Sequence, residues 1–295
     1  MTRNPVPTWI SLSLLVACVS LFGCGGDDGP ANPGTGGGAN SGVFLDSAVE
    51  GLGFTAGAQS GVTDAAGTFG FDSGSDATFA VGGITIGAGT AASAMTPLSL
   101  VPGAFNETNS TVTNIARFLQ TIDDDANPSN GIRIVEAVRT AAAGLSLDFA
   151  QDPADFESDP ATQAAVASLT SQTTAGTRSL VDPATAQAHL RGTLLASRAA
   201  DYSGIYEAFG EGENTPQIGT WSFNVGSDGG VSGTGRISGV DVTISGTLTS
   251  DGVLNGTQPP PDSYTYYIQI ALDGSVSGMW YGPGEIGATM RGARN

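Results

Sequence analysis

The sequence predicts an α+β protein built from several segments: a small β-sandwich-like module, a helical middle segment, and a C-terminal antiparallel β-meander or small barrel. Short β-prone runs alternate with turn residues throughout residues 43–98, which is typical of a small all-β module. Apolar residues recur at helical spacing in residues 108–200. Residues 201–295 alternate apolar and polar positions between Asp-Gly pairs, the pattern of consecutive β-hairpins.

Composition limits the classes of function. The chain has 44 Gly among 295 residues, roughly twice the average usage, which favours turns and hairpins. Its net charge is −18, and all ten of its basic residues are Arg. Because phosphate contacts need cations, this acidic balance argues against a nucleic-acid partner. The absence of Lys also excludes Schiff-base and phosphate-loop chemistry.

The first 23 residues are typical of a signal peptide. A single charge, Arg3, precedes an apolar run at residues 9–23 that is too short to span a membrane comfortably. The run ends in LFGCGG, which resembles the bacterial lipobox, where a Leu and a small residue precede a Cys. The resemblance implies that Cys24 carries acyl chains such as palmitate and becomes the new N-terminus. A nested LVAC sequence offers Cys18 as the alternative lipidation site.

The residues around Cys24 are consistent with a signal peptide followed by a lipid anchor. Residues 24–42 are rich in Gly, Pro, Asn and Asp, the composition of a flexible tether. Cys18 would be removed with the signal peptide, so no disulfide is expected. By resemblance to well-studied lipoproteins, Gly25 in place of Asp after the lipidated residue implies the outer membrane of the bacterial cell envelope.

The β-module at residues 43–98 resembles a known kind of adaptor. Its pattern V.D..V.G......G.TD..G.F.F is similar to small Greek-key modules of the carboxypeptidase-regulatory or prealbumin-like type. The matching positions are Val43, Asp46, Val49, Gly51, Gly61, Thr63, Asp64, Gly67, Phe69 and Phe71. The resemblance implies a β-sandwich-like fold and the role of a stalk or adaptor.

About four helices are predicted in residues 108–200. Two are indicated by apolar positions at three- and four-residue spacing: Val112 to Ile122, then Ile132, Val135 and Val138. Two more are indicated by Asp-Pro pairs, since Asp caps a helix N-terminus and Pro suits the first helical position. These pairs are Asp159–Pro160 and Asp182–Pro183.

Three consecutive aspartates follow the first predicted helix, where the negative end of the helix dipole disfavours acidic residues. Solvent, a neighbouring Arg133 or a bound cation would offset their charge. The spacing Asp123-x-Asp125-x-Asn127 matches three ligand positions of an EF-hand loop, although the Gly and Glu that complete the motif are missing. A looser Ca²⁺ site is therefore a hypothesis, and a solvated turn is the alternative. The candidate ligands are Asp123, Asp125, Asn127, Ser129 and Asn130.

The helical segment carries a second resemblance. Its run NIARFLQTIDDD..P.NGI is similar to one found in a group of poorly characterised secreted bacterial lipoproteins. The matching positions are Asn114, Ile115, Ala116, Arg117, Leu119, Gln120, Asp123 to Asp125, Pro128, Asn130 and Gly131. The resemblance implies a location and a layout rather than an activity.

A weak repeat organises residues 201–295. Asp228, Asp251 and Asp273 each precede a Gly and lie 23 and 22 residues apart, as turns of successive hairpins would. About seven or eight strands are expected to form a curled sheet or small barrel. All six Tyr and two of the three Trp fall here, either as core and cross-strand pairs or as a platform for a sugar or apolar ligand. The candidate platform residues are Trp221, Tyr266, Trp280 and Tyr281.

The sequence indicates no catalytic site. A Ser-His-Asp triad would need His189, the single His, which lies on a predicted helix, and no G-x-S-x-G motif occurs. Zinc needs three or four protein ligands, mostly nitrogen or sulfur, which the mature chain lacks. A glycosidase needs only two carboxylates, so the 28 acidic residues leave that alternative open.

The sequence therefore predicts a non-catalytic, lipid-anchored lipoprotein of the bacterial envelope that acts as an interaction or ligand-binding platform, with Ca²⁺ as the candidate cofactor. Its expected partners are the membrane, through the N-terminal lipid, and a protein or a glycan. The alternative is a carbohydrate-binding or carbohydrate-active protein that uses the aromatic C-terminal sheet.

Overall fold

The computed structural model describes most of the chain after the predicted signal peptide. The described ranges are residues 39–210, 217–237, 240–258, 264–281 and 285–295. All of them belong to one compact unit. Cys18, Cys24 and Gly25 lie outside these ranges, so the signal peptide, the lipidation site and most of the tether stay predictions. Within the described ranges, no helix combines the length and the apolar character that crossing a membrane requires.

The first segment is a small β-sandwich-like module, which confirms the prediction. Its described strands are β1 (Asn40–Phe44), β2 (Val49–Glu50), β3 (Gly53–Ala56), β4 (Gln59–Val62), β5 (Thr68–Phe71), β6 (Asp76–Val81), β7 (Ile84–Thr90) and β8 (Ala94–Met95). One sheet has the order β5-β1-β8 and the other the order β4-β3-β6-β7. Alternate residues of each strand face the core, so Phe44 and Phe69 of the first sheet meet Phe79 of the second, at ring-centroid distances of 4.6 and 5.1 Å.

Helices dominate the middle segment, as predicted. The elements described there are α1 (Ser110–Thr121), β9 (Ile132–Arg133), α2 (Glu136–Ala141), α3 (Pro153–Ser158), α4 (Pro160–Thr170) and α5 (Pro183–Ala196), with 3-10 turns at Pro97–Leu100 and Pro128–Asn130. The carboxylates of Asp159 and Asp182 accept backbone N–H groups in the first turns of α4 and α5. The Asp-Pro pairs therefore begin helices in the way that the sequence predicts.

Two details of the helix prediction are wrong. Ile132 lies in β9, which pairs in parallel with β2 opposite Val49, and α2 begins only at Glu136. The pairing buries Ile132, so a tertiary contact overrides its helical spacing. The sequence also gives no prediction of α3, although Asp152–Pro153 repeats the pair that begins α4 and α5. This helix has only 6 residues, too few for a helical period to stand out.

The sandwich and the helices share one apolar core. Phe44 and Phe79 of the sandwich belong to the same cluster of buried residues as Phe118 of α1, Phe156 of α3 and Leu169 of α4. We name this cluster the sandwich–helix core. The first and middle segments are therefore packed against each other.

The described residues from 200 to 294 form an eight-stranded antiparallel sheet that nearly closes into a barrel, which confirms the predicted meander or small barrel. The strands are β10 (Ala200–Gly210), β11 (Gln217–Val225), β12 (Gly230–Ile237), β13 (Val240–Thr247), β14 (Val253–Gln258), β15 (Tyr264–Ile270), β16 (Ser275–Tyr281) and β17 (Glu285–Arg294). Their order is β13-β12-β11-β10-β17-β16-β15-β14, so β13 and β14 are the two ends of the sheet. Inward-facing residues such as Tyr202, Phe223 and Ile268 form a second cluster, which we name the barrel core.

The three predicted Asp-Gly turns lie at one end of the barrel and share one geometry. Gly226, Thr249 and Ala271 each donate an N–H to the carbonyl four residues on, at 2.8, 2.9 and 3.0 Å. The Gly after each Asp has φ of 83°, 85° or 87°, a left-handed conformation that Gly adopts without strain. The predicted repeat of turns is therefore confirmed, but only the turns at Asp228 and Asp273 join paired strands, whereas the turn at Asp251 joins β13 to β14, the two ends of the sheet. The connections at the opposite end include residues outside the described ranges.

Candidate functional site

The aspartates after α1 organise a turn through hydrogen bonds. Asp123 is buried, and its two carboxylate oxygens accept the backbone N–H groups of Asn127 and Arg133, each at 2.8 Å. The oxygens of Asp125 accept the backbone N–H of Asn127 at 2.9 Å and the side-chain amide of Asn130 at 2.8 Å. Burial raises the pKa of Asp123, whereas hydrogen bonding from Asn130 lowers the pKa of Asp125.

The negative end of α1 is offset by Arg178. Its guanidinium donates to the carbonyl of Thr121 at 2.7 Å and to the carbonyl of Asp123. These groups lie at the helix C-terminus, where carbonyls lack intrahelical partners and the helix dipole is negative. The sequence suggests Arg133 for this role, but the side chain of Arg133 is mostly exposed and lies near Asp124, at 3.5 Å, and Glu50, at 3.8 Å. Arg178 is 55 residues from Asp123, so no local pattern points to it.

The turn fits a hydrogen-bonded structure better than a calcium site. Each of the four carboxylate oxygens of Asp123 and Asp125 already accepts one N–H. Asn127 takes part through its backbone N–H, and Ser129 lies in the adjacent 3-10 turn. In the part of the chain that the structure describes, no three His, Cys, Asp or Glu side chains are grouped so that they could hold a metal ion. Calcium binding stays a prediction that this geometry does not favour.

A buried carboxylate lies between the sandwich and the helices. Asp46 is fully buried, and the side-chain amide of Gln120 in α1 donates to its Oδ2 at 3.0 Å. Its Oδ1 accepts no hydrogen bond from the described residues and lies 3.8 Å from Nε2 of His189 in α5. Burial raises the pKa of Asp46 to about 7 and lowers the pKa of His189. No sequence pattern identifies this cluster, because the partners of Asp46 are 74 and 143 residues away.

The same cluster contains Ser, His and Asp, but not in the geometry of a catalytic triad. Oγ of Ser47 lies 3.1 Å from Nε2 of His189, the same nitrogen that faces Asp46. A triad uses the two ring nitrogens separately, one for the nucleophile and one for the carboxylate. The backbone N–H of Ser47 donates to the hydroxyl of Thr193 in α5 at 3.0 Å. The cluster therefore holds the turn after β1 against α5.

Three of the four predicted platform residues lie inside the barrel. Trp221, Tyr266 and Trp280 are 3%, 3% and 1% exposed, whereas Tyr281 is 49% exposed. Neighbouring residues of a strand face opposite sides of the sheet, which separates Trp280 from Tyr281. The four side chains therefore do not form one solvent-facing platform, and that expectation is corrected.

Glycines in neighbouring strands make room for the buried rings. Tyr266 is paired across the strands with Gly256, and Trp221 with Gly204. A Cβ on Gly256 would come within 2.1 Å of the Tyr266 ring, and one on Gly204 within 2.5 Å of the Trp221 ring. Part of the high Gly content of the chain thus follows from the aromatic packing of the barrel core.

The line between β13 and β14, which we name the seam, is bridged by a side chain. The hydroxyl of Tyr266 reaches from β15 across Gly256 to β13. There it donates to the carbonyl of Ser245 at 2.5 Å and accepts the N–H of Ser245 at 3.2 Å. A tyrosine thus supplies hydrogen bonds that a neighbouring strand supplies elsewhere in the sheet.

An exposed apolar patch lies on the outer face of the barrel beside β14. Tyr267 lies opposite Met279, and the hydroxyl of Tyr281 donates to the sulfur of Met279 at 3.3 Å. All three side chains are about half exposed. A groove of about 320 Å³ adjoins the two tyrosines. We name the patch and the polar residues of the groove the tyrosine surface, which consists of Tyr267, Met279, Tyr281, Asn255, Thr257 and Thr265.

The sequence predicts Tyr281 of this surface but not Tyr267 or Met279. A usable signal was the pair Tyr266–Tyr267, because adjacent residues of a strand face opposite sides and one of the two must face outward. The pair Trp280–Tyr281 carries the same signal.

Comparison with known proteins assigns no relative to this chain. No family model, no curated protein and no solved structure matches it. Its function is therefore inferred from the chemistry of the residues described above.

Proposed function

We propose that this protein is a non-catalytic lipoprotein of the bacterial envelope whose C-terminal barrel is a ligand-binding platform. The observation that carries the binding role is the tyrosine surface. Of the six large apolar side chains that are exposed in the described residues, three lie in this one patch: Tyr267, Met279 and Tyr281. Contiguous exposed apolar groups on a protein surface are typical of interaction sites.

The lipid anchor in this proposal is supported by the sequence. Cys24 ends the lipobox-like run, and acyl chains on this residue would bind a bilayer with about 0.8 kcal/mol per buried CH₂. Strand β1 begins at Asn40, within the last three residues of the predicted tether at residues 24–42. Gly25 after the lipidated residue supports the outer membrane as the location. The proposed partners are the membrane and a ligand of the tyrosine surface.

A non-catalytic role is supported by the surroundings of the single histidine. Nε2 of His189 faces both Ser47 and Asp46, so the imidazole is used to hold a turn in position. The turn at Asp123 and Asp125 is likewise ordered by its own hydrogen bonds. The proposal therefore assigns no role to Ca²⁺.

Acyl labelling of a Cys24→Ser variant tests the anchor. We expect the wild type to incorporate an alkyne-palmitate label in a bacterial host and to sediment with membranes. The Cys24→Ser variant should be unlabelled and should leave the membrane fraction, while the control Cys18→Ser behaves as the wild type. Loss of label only in Cys18→Ser would move the site to Cys18, and an unlabelled wild type would contradict the anchor altogether.

Photo-crosslinking in living cells tests the platform while its ligand is still unidentified. A benzophenone amino acid replaces Tyr281 in one variant and Ile218 in the control. Ile218 is an exposed apolar residue on β11, also on the outer face of the barrel. We expect a crosslinked product with the probe at position 281 and none at position 218. Equal yields at both positions, or no product at 281, would contradict the proposed platform.

A further inference from the structure

We infer that the tyrosine surface binds a neutral glycan chain. This inference rests on the proposed binding platform and adds the chemical class of its ligand. Three features carry it: two outward-facing rings on neighbouring strands, uncharged hydrogen-bonding side chains beside them, and a groove whose described lining carries no charge.

The two tyrosines present a pair of aromatic faces. Tyr281 on β16 pairs directly with Thr265 on β15, and Tyr267 lies two residues beyond Thr265 on the same face of the sheet. Diagonal neighbours of this kind are about 7–8 Å apart. The C–H face of a sugar ring is apolar and packs against an aromatic face, so neighbouring sugar units of one chain can each contact a tyrosine.

The polar side chains of the groove have the hydrogen-bonding capacity that sugar hydroxyls need. Asn255, Thr257 and Thr265 line the groove beside the rings, and their side chains form no hydrogen bond with other described residues. An amide and two hydroxyls together donate and accept hydrogen bonds, as sugar hydroxyls do. Binding sites for small molecules commonly combine aromatic walls with a few such groups.

The charge distribution favours a neutral ligand. Among the described residues that line the groove, none is charged, so a cationic ligand would find no acidic partner there. An anionic ligand would approach a chain of net charge −18. Farther round the outer face, Glu207 of β10 and Arg291 of β17 pair with each other at 2.6 Å. A ligand rich in hydroxyl groups and free of charge matches the groove best.

An oligosaccharide array tests the inference with the full-length protein in detergent. The probes are neutral oligomers of glucose, mannose, galactose and N-acetylglucosamine, each printed beside a counterpart that carries uronate or sulfate. We expect saturable binding to at least one neutral oligomer. The Tyr267→Ala and Tyr281→Ala variants should bind it about ten-fold more weakly or worse. The control Ile218→Ala should bind as the wild type, because Ile218 is exposed on β11, outside the tyrosine surface.

The array tests the glycan assignment and the crosslink tests the binding platform, so the glycan assignment can fail without the platform. Binding confined to anionic glycans, or neutral binding that both alanine variants retain, would overturn the glycan assignment. If no glycan binds while the probe at position 281 captures a protein, the platform stands and the glycan assignment falls. If the array and the crosslink are both negative, both fall. Tyr267 and Tyr281 are exposed, so an unchanged melting temperature in each variant checks that a loss of binding does not reflect unfolding.

Discussion

The sandwich–helix core and the barrel core satisfy their buried groups in different ways. Beside the sandwich–helix core, buried polar side chains reach distant partners: Gln120 donates to Asp46, 74 residues away, and Arg117 to Glu157, 40 residues away. In the barrel, one Asp-Gly turn geometry is repeated, and aromatic rings lie over glycines of adjacent strands. The first region therefore depends on several long-range polar contacts, whereas the second depends mainly on shape, with the hydroxyl of Tyr266 and the buried guanidinium of Arg198 as its long-range polar contacts.

Replacement of Arg117 should lower the free energy of unfolding more than any other change that we predict, and it tests the difference between the two regions. The fully buried guanidinium donates to the carbonyls of Val181 and Pro153 at 2.6 and 2.9 Å and to Glu157 at 2.7 Å. An Arg117→Met variant leaves these acceptors without their donor, so we expect the free energy of unfolding in urea to fall by about 3 kcal/mol. Arg236→Met, which removes an exposed ion pair of the barrel, should cost less than about 1 kcal/mol. Equal losses in the free energy of unfolding in the two variants would contradict the difference between the two regions.

Asp46 should make the stability of the sandwich–helix region depend on pH. Its folded pKa is about 7 against an ordinary value of 3.8, so the folded state holds the proton more tightly than the unfolded chain. This contribution is complete below the ordinary pKa and is lost as the pH rises through 7. Between about pH 5 and pH 8, we expect the wild type to lose about 2–3 kcal/mol of stability relative to Asp46→Asn.

The difference in the free energy of unfolding between the wild type and Asp46→Asn separates the effect of Asp46 from that of His189. Burial lowers the pKa of His189, so its contribution has the opposite sign and is lost as the pH falls. His189 is present in both proteins, and its effect largely cancels when urea unfolding curves are subtracted at each pH. A difference in the free energy of unfolding that stays constant from acid to neutral pH would argue against a protonated Asp46.

In the barrel, a single added methyl group should be costly. A Cβ on Gly256 would lie 2.1 Å from the ring of Tyr266, so Gly256→Ala forces the ring away from the seam. We expect the free energy of unfolding to fall by about 2 kcal/mol, as for other overpacked cores. Gly144→Ala is the matched control, because its Cβ would meet nothing within 4 Å. Similar melting temperatures for both variants would show that the ring has room to move.

A smaller effect is expected from the hydroxyl of Tyr266 alone. Tyr266→Phe keeps the ring over Gly256 but removes the two hydrogen bonds to Ser245. We expect a loss of about 1 kcal/mol in the free energy of unfolding, with faster amide hydrogen exchange at Ser245. Exchange that accelerates equally throughout the barrel would mean that the hydroxyl supports the whole sheet and not the seam.

Calcium should have the smallest effect, because the aspartate turn already satisfies its carboxylates. We expect the same melting temperature in millimolar Ca²⁺ and in chelator. Calorimetric titration with Ca²⁺ should give no saturable heat for the wild type or for Asp123→Asn/Asp125→Asn. Stoichiometric heat that the double variant abolishes would restore the calcium site suggested by the spacing of the aspartates.

The distance between interacting residues decides what the sequence can predict. The turns at Asp228, Asp251 and Asp273 and the helix caps at Asp159 and Asp182 form contacts within a few residues, and each is readable from a local pattern. The partners that hold the sandwich to the helices are set by tertiary packing, so no spacing rule finds them. The burial of Ile132 against Val49 shows the same limit, since its helical spacing was locally plausible.

The sequence shows that neighbouring residues of a strand face opposite sides of the sheet, but it does not show which of them faces the core. Adjacent aromatic residues at Tyr266–Tyr267 and Trp280–Tyr281 must face opposite sides. Either member of each pair could have faced the core, because both are large and apolar. Closure of the sheet into a barrel turned Tyr266 and Trp280 inward and left the tyrosine surface outside.

Hydroxyl-radical footprinting in intact cells tests most directly whether the tyrosine surface is a binding site. The reagent oxidises exposed Tyr, Met and Phe side chains, and Phe105, at 77% exposure, is an internal control that lies before α1 and outside the tyrosine surface. On the purified protein, we expect oxidation at Phe105, Tyr267, Met279 and Tyr281. In cells, we predict that the last three are protected while Phe105 is oxidised to the same extent as before. Equal oxidation of all four side chains in cells would mean that nothing covers the surface and would contradict its assignment as the functional site.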